Sequence, residues 1–297
     1  MTRVLLHFPD EAAPARRLAE SAGLAVQGVD RHRFPDAELK LTLPFAETQA
    51  FPESLVIYRS LDCPNDKLVE LLLLARHARQ RGVTQLVLVA PYLAYMRQDI
   101  AFHPGEIVSQ GIVGGFLAEL FDAVITVDPH LHRIERLEQA IPLDDAVALS
   151  GAPRLAELIA EKRPGALLLG PDEEARQWVA QAAGITGVEY GVCHKQRRGD
   201  RDVAITLPEI EVAGRRVVLM DDVASSGVTV ARAAEALLAA GAASVDLALT
   251  HALFAGDALA VIREAGVGEI WSTDCIAHDS NAIAMAPVLA EALGALT

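Results

Sequence analysis

The sequence predicts two tandem α/β domains, each a mainly parallel sheet flanked by helices. Short apolar runs alternate with longer helical stretches along the whole chain, the layout of parallel strands joined by crossover helices. The runs are near-continuous in Val, Leu and Ile, as in strands covered on both faces. The halves also answer one another: Val124-Ile125-Thr126-Val127-Asp128 matches Val217–Asp221 in layout, an apolar strand ending on an aspartate. A length of 297 residues leaves room for two domains of ordinary size. The expected domains are 1–145 and 146–297, joined near Ile141–Ser150, with the last helix, Ala284–Leu296, free to pack on either.

In order, Val4–Leu6 reads as a first strand, Ala12–Ala22 as a helix and Leu24–Val29 as a second strand. Arg33–Glu38 is turn-like and leads into the alternating stretch Leu39–Leu43. Leu55–Tyr58 is a strand, and Asp66–Arg81 a long helix with Arg76, Arg79 and Arg81 near its end, where the dipole favours cations. Leu86–Ala90 is a strand, Pro91–Pro104 a long polar and aromatic loop, Ile107–Leu120 a helix and Ala123–Val127 a buried strand. The second half runs Leu155–Glu161 helix, Ala166–Leu169 strand, Glu173–Ala183 helix and Gly187–Val192 strand. Val217–Met220, Ser244–Thr250, Val261–Glu264 and Glu269–Ser272 continue the series.

A formal net charge of −14 argues against broad nucleic-acid or anionic-membrane surfaces, and 52% hydrophobic residues suffice for a sizeable core. Cys63, Cys193 and Cys275 are widely spaced without a CxxC pattern, so free thiols are expected. The N-terminal apolar run is too short for a signal peptide, and no run reaches membrane-spanning length, so the expectation is a soluble cytoplasmic protein without membrane or nucleic-acid partners.

The chemistry concentrates in Arg216–Val230, RVVLMDDVASSGVTV. An apolar strand runs into Asp221 and Asp222, a small-residue loop follows, and an alanine-rich helix begins near Thr229. Ligands of open α/β sheets bind beyond the carboxyl ends of strands, and a helix start offers free N–H groups to an anion. Ser225, Ser226 and Thr229 add hydroxyls, so one end suits a phosphate, while the acids suit hydroxyls or a hydrated metal ion. The competing readings are an ordinary strand–helix turn and a Walker-B acid; the second lacks its GxxxxGK[ST] loop, and no GxGxxG is present either.

Other groups sit at similar strand ends. Arg97-Gln98-Asp99 offers a phosphate clamp and a base-reading amide, or a solvated turn. Asp128-Pro129-His130-Leu131-His132 offers Asp128 and His130 for magnesium, with zinc disfavoured for want of a third ligand. Asp172 is a further strand-end carboxylate or a helix cap. His194–Asp200 is the most basic run in a chain of four lysines, one of them Lys195, and is expected to form a loop between a strand and the edge-like Asp202–Leu207.

Together these pieces resemble the ribose-phosphate diphosphokinase (PRPP synthetase) family. The resemblance covers nearly the whole chain, from Phe34-Pro35-Asp36-Ala37-Glu38, Asn65-Asp66 and Pro91-Tyr92 through Arg97-Gln98-Asp99, Asp128-x-His130 and Pro171-Asp172 to Lys195-x-Arg197 and Asp221-Asp222…Gly227-x-Thr229. It implies two tandem type I phosphoribosyltransferase-like domains with the active site between them. It also implies transfer of the β,γ-diphosphoryl group of ATP to the anomeric hydroxyl of ribose 5-phosphate, giving PRPP and AMP, with Mg2+.

By that resemblance Arg97, Gln98 and Asp99 bind ATP, with Phe34, Asp36 and Glu38 reaching the adenine from a neighbouring subunit of a homodimer or larger homo-oligomer. Asp128, His130 and Asp172 serve the metal or its water shell, Asp172 also the ribose, and Lys195 and Arg197 stabilise the transferring group. Asp221 and Asp222 hold the ribose hydroxyls, and Ser225, Ser226, Gly227 and Thr229 the 5-phosphate.

The chain departs from the family pattern at Val228, where a Gly is usual, at Ser225, where an Asp is common, and at Glu173-Glu174, where small residues are common. The loop Ile100–Glu106 lacks the basic cluster of the phosphate-activated class, which puts phosphate activation and ADP inhibition in doubt. The alternatives are a phosphoribosyltransferase that consumes PRPP and a catalytically impaired regulatory relative.

Overall fold

In the computed structural model, which describes residues 3–45, 50–131, 133–197 and 203–296, the chain forms two compact units. One comprises the residues up to Leu149 together with those from Met285 onward; the other is Ser150–Ala284.

The first unit runs β1 (Arg3–His7), α1 (Ala12–Ala22), β2 (Ala25–Gly28), a hairpin of β3 (Asp30–Arg33) and β4 (Leu39–Thr42), and β5 (Ser54–Tyr58). It continues with α2 (Pro64–Gln80), β6 (Gln85–Val89), α3 (Ser109–Leu120), β7 (Ala123–Val127) and β8 (Asp145–Leu149). The main sheet has the order β2-β1-β5-β6-β7-β8, all pairs parallel. The continuous apolar runs become its central strands: every residue of β5 and β7 is buried.

The second unit runs α4 (Ala152–Lys162), β9 (Leu167–Gly170), α5 (Arg176–Thr186), β10 (Tyr190–Val192) and a hairpin of β11 (His194–Arg197) and β12 (Val203–Thr206). Then come β13 (Arg216–Val223), α6 (Val228–Ala239), β14 (Ser244–His251), α7 (Ala258–Glu264), β15 (Ile270–Thr273) and β16 (Asn281–Ile283). The sheet order is β10-β9-β13-β14-β15-β16, again all parallel. Counted within each unit, both sheets follow one order, 2-1-3-4-5-6, and both place an antiparallel hairpin after the second strand. The final helix, α8 (Ala286–Ala295), packs on α1 of the first unit, where Arg3 Nη1 donates to the Leu293 carbonyl at 3.1 Å.

The units divide between Leu149 and Ser150, inside the expected join Ile141–Ser150, and the second half of that stretch is β8, which extends the first sheet beside β7. Two expectations change. Val261–Glu264 lies in α7, where Ile262 is fully buried. The basic run from His194 starts as a strand, because the Lys195 and Arg197 backbones pair in register with Ile205 and Val203. The rest of that run, 198–200, and the start of the edge-like segment fall outside the described residues, as does His132.

Candidate active site

The second unit gathers acids at one sheet edge. Its strand order reverses between β9 and β13, and ligand crevices of open α/β sheets form at such a switch point, beyond the strands' carboxyl ends. Asp172 follows β9 by two residues, and Asp221 and Asp222 lie in the last turns of β13, which runs longer than the apolar stretch alone indicates. Asp222 and Asp172 are buried, at 2% and 8% exposure, while Asp221 is half-buried. Burial above all, then the negative charges of Asp222 and Asp172, pushes the Asp221 carboxyl well above the usual carboxylate range. Three carboxyls therefore share one small volume. Such a cluster suits sugar hydroxyls, which donate to carboxylates, and a cation, which relieves the mutual repulsion.

The loop after the acids is shaped for close approach. Gly227 has φ +73°, and a Cβ there would lie 2.9 Å from both the Ala258 carbonyl oxygen and Ile262 Cγ1. Glycine alone satisfies both the left-handed backbone and the tight packing against α7. Gly227 caps α6, and a helix start of this kind presents its first N–H groups and the positive end of its dipole to an anion. The loop is held from behind: the Phe254 N–H donates to Ala224 O and the Ala255 N–H to Ser225 O, both at 2.9 Å. Phe254 itself has φ +31° and packs against the His278 ring at 5.0 Å. Sequence reading missed this support, since no local signal ties residue 254 to residue 224.

Asp172 acts in the structure as a cap, its Oδ1 accepting from the Glu174 N–H at 3.1 Å. Glu173 next to it is paired: Arg176 Nε and His194 Nδ1 each lie 2.9 Å from its carboxylate, and the Arg176 guanidinium offsets its charge. The His194 contact ties the Asp172 turn to β11, the strand on which Lys195 and Arg197 stand; the side chains of those two lie outside the described set.

In the first unit, Arg97 is exposed at the loop after β6. Gln98 caps the start of α3 from a distance: its Oε1 accepts from Ser109 N–H at 3.0 Å and its carbonyl from Gln110 N–H at 3.2 Å. The Gln98 amide oxygen is thus committed to the helix start, and its side-chain nitrogen is the part left to meet a ligand. The Asp99 side chain is 3% exposed and pairs with Arg133 Nη1 at 2.6 Å, which links the loops after β6 and β7. Asp128 ends β7 in a positive-φ conformation (+38°), buried, with its N–H bonded to Leu149 O at 2.8 Å; His130 is half-buried beside it. Asp is among the few non-glycine residues that visit this region, and backbone outliers of this kind cluster at functional sites. Phe34–Glu38 forms the β3–β4 turn, closed by Phe34 N–H to Glu38 O and Ala37 N–H to Phe34 O, both at 2.9 Å. Phe34 is 39% exposed, so it is a presented ring and not a buried turn anchor.

Among the described residues no three His, Cys, Asp or Glu side chains form a ready metal cage, and no helix is long and apolar enough to cross a membrane.

Two repeats of one doubly wound topology, the second ending its switch point in an acidic pair and a glycine-gated helix start, define a protein of phosphoribosyltransferase-type architecture. The family model for the N-terminal domain of ribose phosphate pyrophosphokinase matches residues 4–120, and that for the phosphoribosyl transferase domain matches 151–261. A ribose-phosphate pyrophosphokinase of Methanopyrus kandleri is 35% identical over 285 residues, 94% of each chain. Ribose-phosphate pyrophosphokinase 2 of Archaeoglobus fulgidus is 32% identical, covering 97% of this chain and 98% of its own. The solved structure of phosphoribosylpyrophosphate synthetase from Mycobacterium smegmatis matches the fold with a TM-score of 0.83 at 21% identity, over 100% of this chain and 99% of that one. The chain belongs to the ribose-phosphate pyrophosphokinase family.

Proposed function

We propose that this protein transfers the β,γ-diphosphoryl group of ATP to ribose 5-phosphate, the reaction of its family, giving PRPP and AMP. The observation that carries the reading is the convergence of Asp172, Asp221 and Asp222 beside the Gly227 loop at the β9/β13 switch point. In this reading Asp221 and Asp222 accept from the 2- and 3-hydroxyls of ribose, and the loop Ser225–Thr229 takes the 5-phosphate on N–H and hydroxyl donors. The anomeric oxygen then bonds to the β-phosphorus of ATP, the bond from that phosphorus to the α,β-bridging oxygen breaks, and AMP leaves. The hydroxyl proton passes to solvent.

Lys195 and Arg197 stand against the charge of the moving group, a role phosphoryl-type transfer needs more than a covalent nucleophile. Arg97 grips the ATP phosphates, the amide nitrogen of Gln98 reads the nucleotide, and Asp99 acts through Arg133 by setting the loop. Phe34 stacks on adenine while Asp36 and Glu38 accept from its amino group, with the turn supplied by the neighbouring copy in a homodimer or larger assembly.

Magnesium fits this donor set. Mg2+ keeps several waters and takes one or two carboxylates plus substrate phosphates, so isolated acids at strand ends suit it better than a cage. Asp128 and His130 would hold its water shell on the nucleotide and Asp172 on the sugar; the ion supplies charge neutralisation.

Two features favour an active enzyme over an impaired relative: Glu173 is ion-paired with Arg176, and Lys195 stands on a paired strand. The test is incubation with ATP, a divalent cation and ribose 5-phosphate. Equal amounts of AMP and PRPP are expected, only with the metal; ADP in place of AMP would mean an ordinary kinase. Asp222→Asn should raise KM for ribose 5-phosphate by roughly tenfold or more and leave KM for ATP nearly unchanged, as loss of a charged acceptor for a substrate hydroxyl requires.

A further inference from the structure

The crevice between β9 and β13 has a counterpart in the first unit, between the carboxyl ends of β1 and β5, and there charged side chains fill it. Arg59, the residue after β5, is fully buried. Its Nη1 lies 2.9 Å from Asp10 Oδ2 and 3.0 Å from Glu11 Oε2, its Nη2 2.5 Å from Glu70 Oε2, and its guanidinium covers the Phe8 ring at 4.4 Å. Burial alone would draw the Arg59 pKa down, but Glu11, Glu70 and Asp10 outweigh it and hold the guanidinium above its ordinary range. Glu70, also fully buried, gives its other oxygen to Arg31 Nη1 at 2.7 Å, and Arg31 Nη2 lies 3.4 Å from Asp10.

Arg31 belongs to β3, whose hairpin with β4 stands outside the main sheet. A two-stranded hairpin is marginal by itself and takes its orientation from what it is fastened to. Side chains alternate along a strand. Arg31 and Arg33 share one face, and Arg33 Nη2 meets Asp66 at the start of α2 at 2.5 Å. His32 and Phe34 follow the other parity and meet edge to face, with ring centroids 4.8 Å apart. A buried ion pair is weak evidence for added stability, because desolvation offsets the attraction. What this one supplies is a fixed direction: Glu70 is held by Arg59 from within and holds Arg31 from without.

We propose that Arg31, anchored through Glu70 to the buried Arg59, is a positioning residue for ATP, setting the hairpin so that its Phe34–Glu38 turn reaches the adenine. The first unit has turned its switch-point crevice into a clamp for the hairpin, whereas the second gathers Asp172, Asp221 and Asp222 at its own. This rests on the assignment of Phe34, Asp36 and Glu38 to adenine.

The test compares Arg31→Gln, Arg31→Lys and Phe34→Ala by steady-state kinetics with ATP, GTP and ribose 5-phosphate. Arg31→Gln leaves Glu70 paired with Arg59, so the chain should fold. Its KM for ATP should rise by roughly tenfold, the scale of one lost charge-assisted bond, with KM for ribose 5-phosphate and kcat within about twofold. The preference for ATP over GTP should shrink by a similar factor. Arg31→Lys should restore most of both, and backbone hydrogen exchange should speed up in residues 30–42 of Arg31→Gln alone.

A rise in KM for ATP with Phe34→Ala but none with Arg31→Gln would overturn the clamp and leave the adenine assignment standing. No rise with either variant would overturn the adenine assignment itself. Equal changes in both KM values, with the ATP/GTP preference intact, would reduce Arg31 to a general structural role and also overturn the proposal.

Discussion

At the scale of single residues, burial and neighbouring charge decide chemistry more than residue type does. Cys193 is buried one residue before β11, and burial, then the charge of Asp172, pushes its thiol up to about 12. Cys275 is buried too, while Cys63, at the start of α2, is exposed. The thiolate is the reactive form. Native protein at pH 8 should therefore titrate one fast thiol with a disulfide reagent, lost in Cys63→Ser, and three in guanidinium; a second fast thiol in the native state would show that the cover over Cys193 opens. The free thiols were legible from their spacing, but their accessibility was not, because burial depends on distant partners. The same limit hid the Arg59 cluster. Asp10, Glu11, Arg31, Arg59 and Glu70 read along the chain as scattered solvated charges; the pairing of β1 with β5 brings Asp10 and Glu11 to Arg59, and Arg31 and Glu70 join them from β3 and α2.

At the scale of elements, the strand–loop–helix unit from β13 to α6 was the most legible part of the chain. A strand buried on both faces has a continuous apolar signature, and a glycine among small residues before an alanine-rich run marks a helix start. The edge strands β8 and β16 were not legible, being short and only partly buried, with mixed sequence. The switch point was legible only as separate strand ends; the approach of Asp172 to Asp221 follows from the pairing of Leu169 with Leu219, residues distant along the chain.

Gly227 and Gly184 make a contrast at this scale. Gly184 lies inside α5 with nothing within 4 Å of a built Cβ, whereas Gly227 has φ +73° and a carbonyl oxygen 2.9 Å away. Gly184→Ala should raise stability by about 0.5–1 kcal/mol through helix propensity, and Gly227→Ala should lower it by about 1–3 kcal/mol through strain. Only Gly227→Ala should raise KM for ribose 5-phosphate, since it moves the N-terminus of α6. Denaturant midpoints and kinetics on the two variants check both halves; equal midpoints would remove the strain argument.

At the scale of the whole molecule, one topology used twice has diverged by what fills each switch point: ion pairs in the first unit, a cluster of three acids in the second. The duplicated layout was visible in the alternation of apolar runs and in the two strands that end on aspartate, but the two fillings were not. The division also bears on assembly. The first unit presents Phe34 on an exposed turn, and the proposed function gives that turn to the site of another copy. A chain with Phe34→Ala and Glu38→Ala, and a chain with Lys195→Ala, should each form poorly active homo-oligomers. Mixed after dissociation and reassembled, they should regain activity, because a mixed pair has one site with both defects and one with neither. With free exchange half the pairs are mixed, so about a quarter of all sites are intact, and activity should approach that fraction of wild type. Recovery requires that the adenine turn and Lys195 of one site come from different chains. Proven subunit exchange without recovery would mean that each chain builds its own adenine pocket, and the trans assignment of Phe34 and Glu38 would fall.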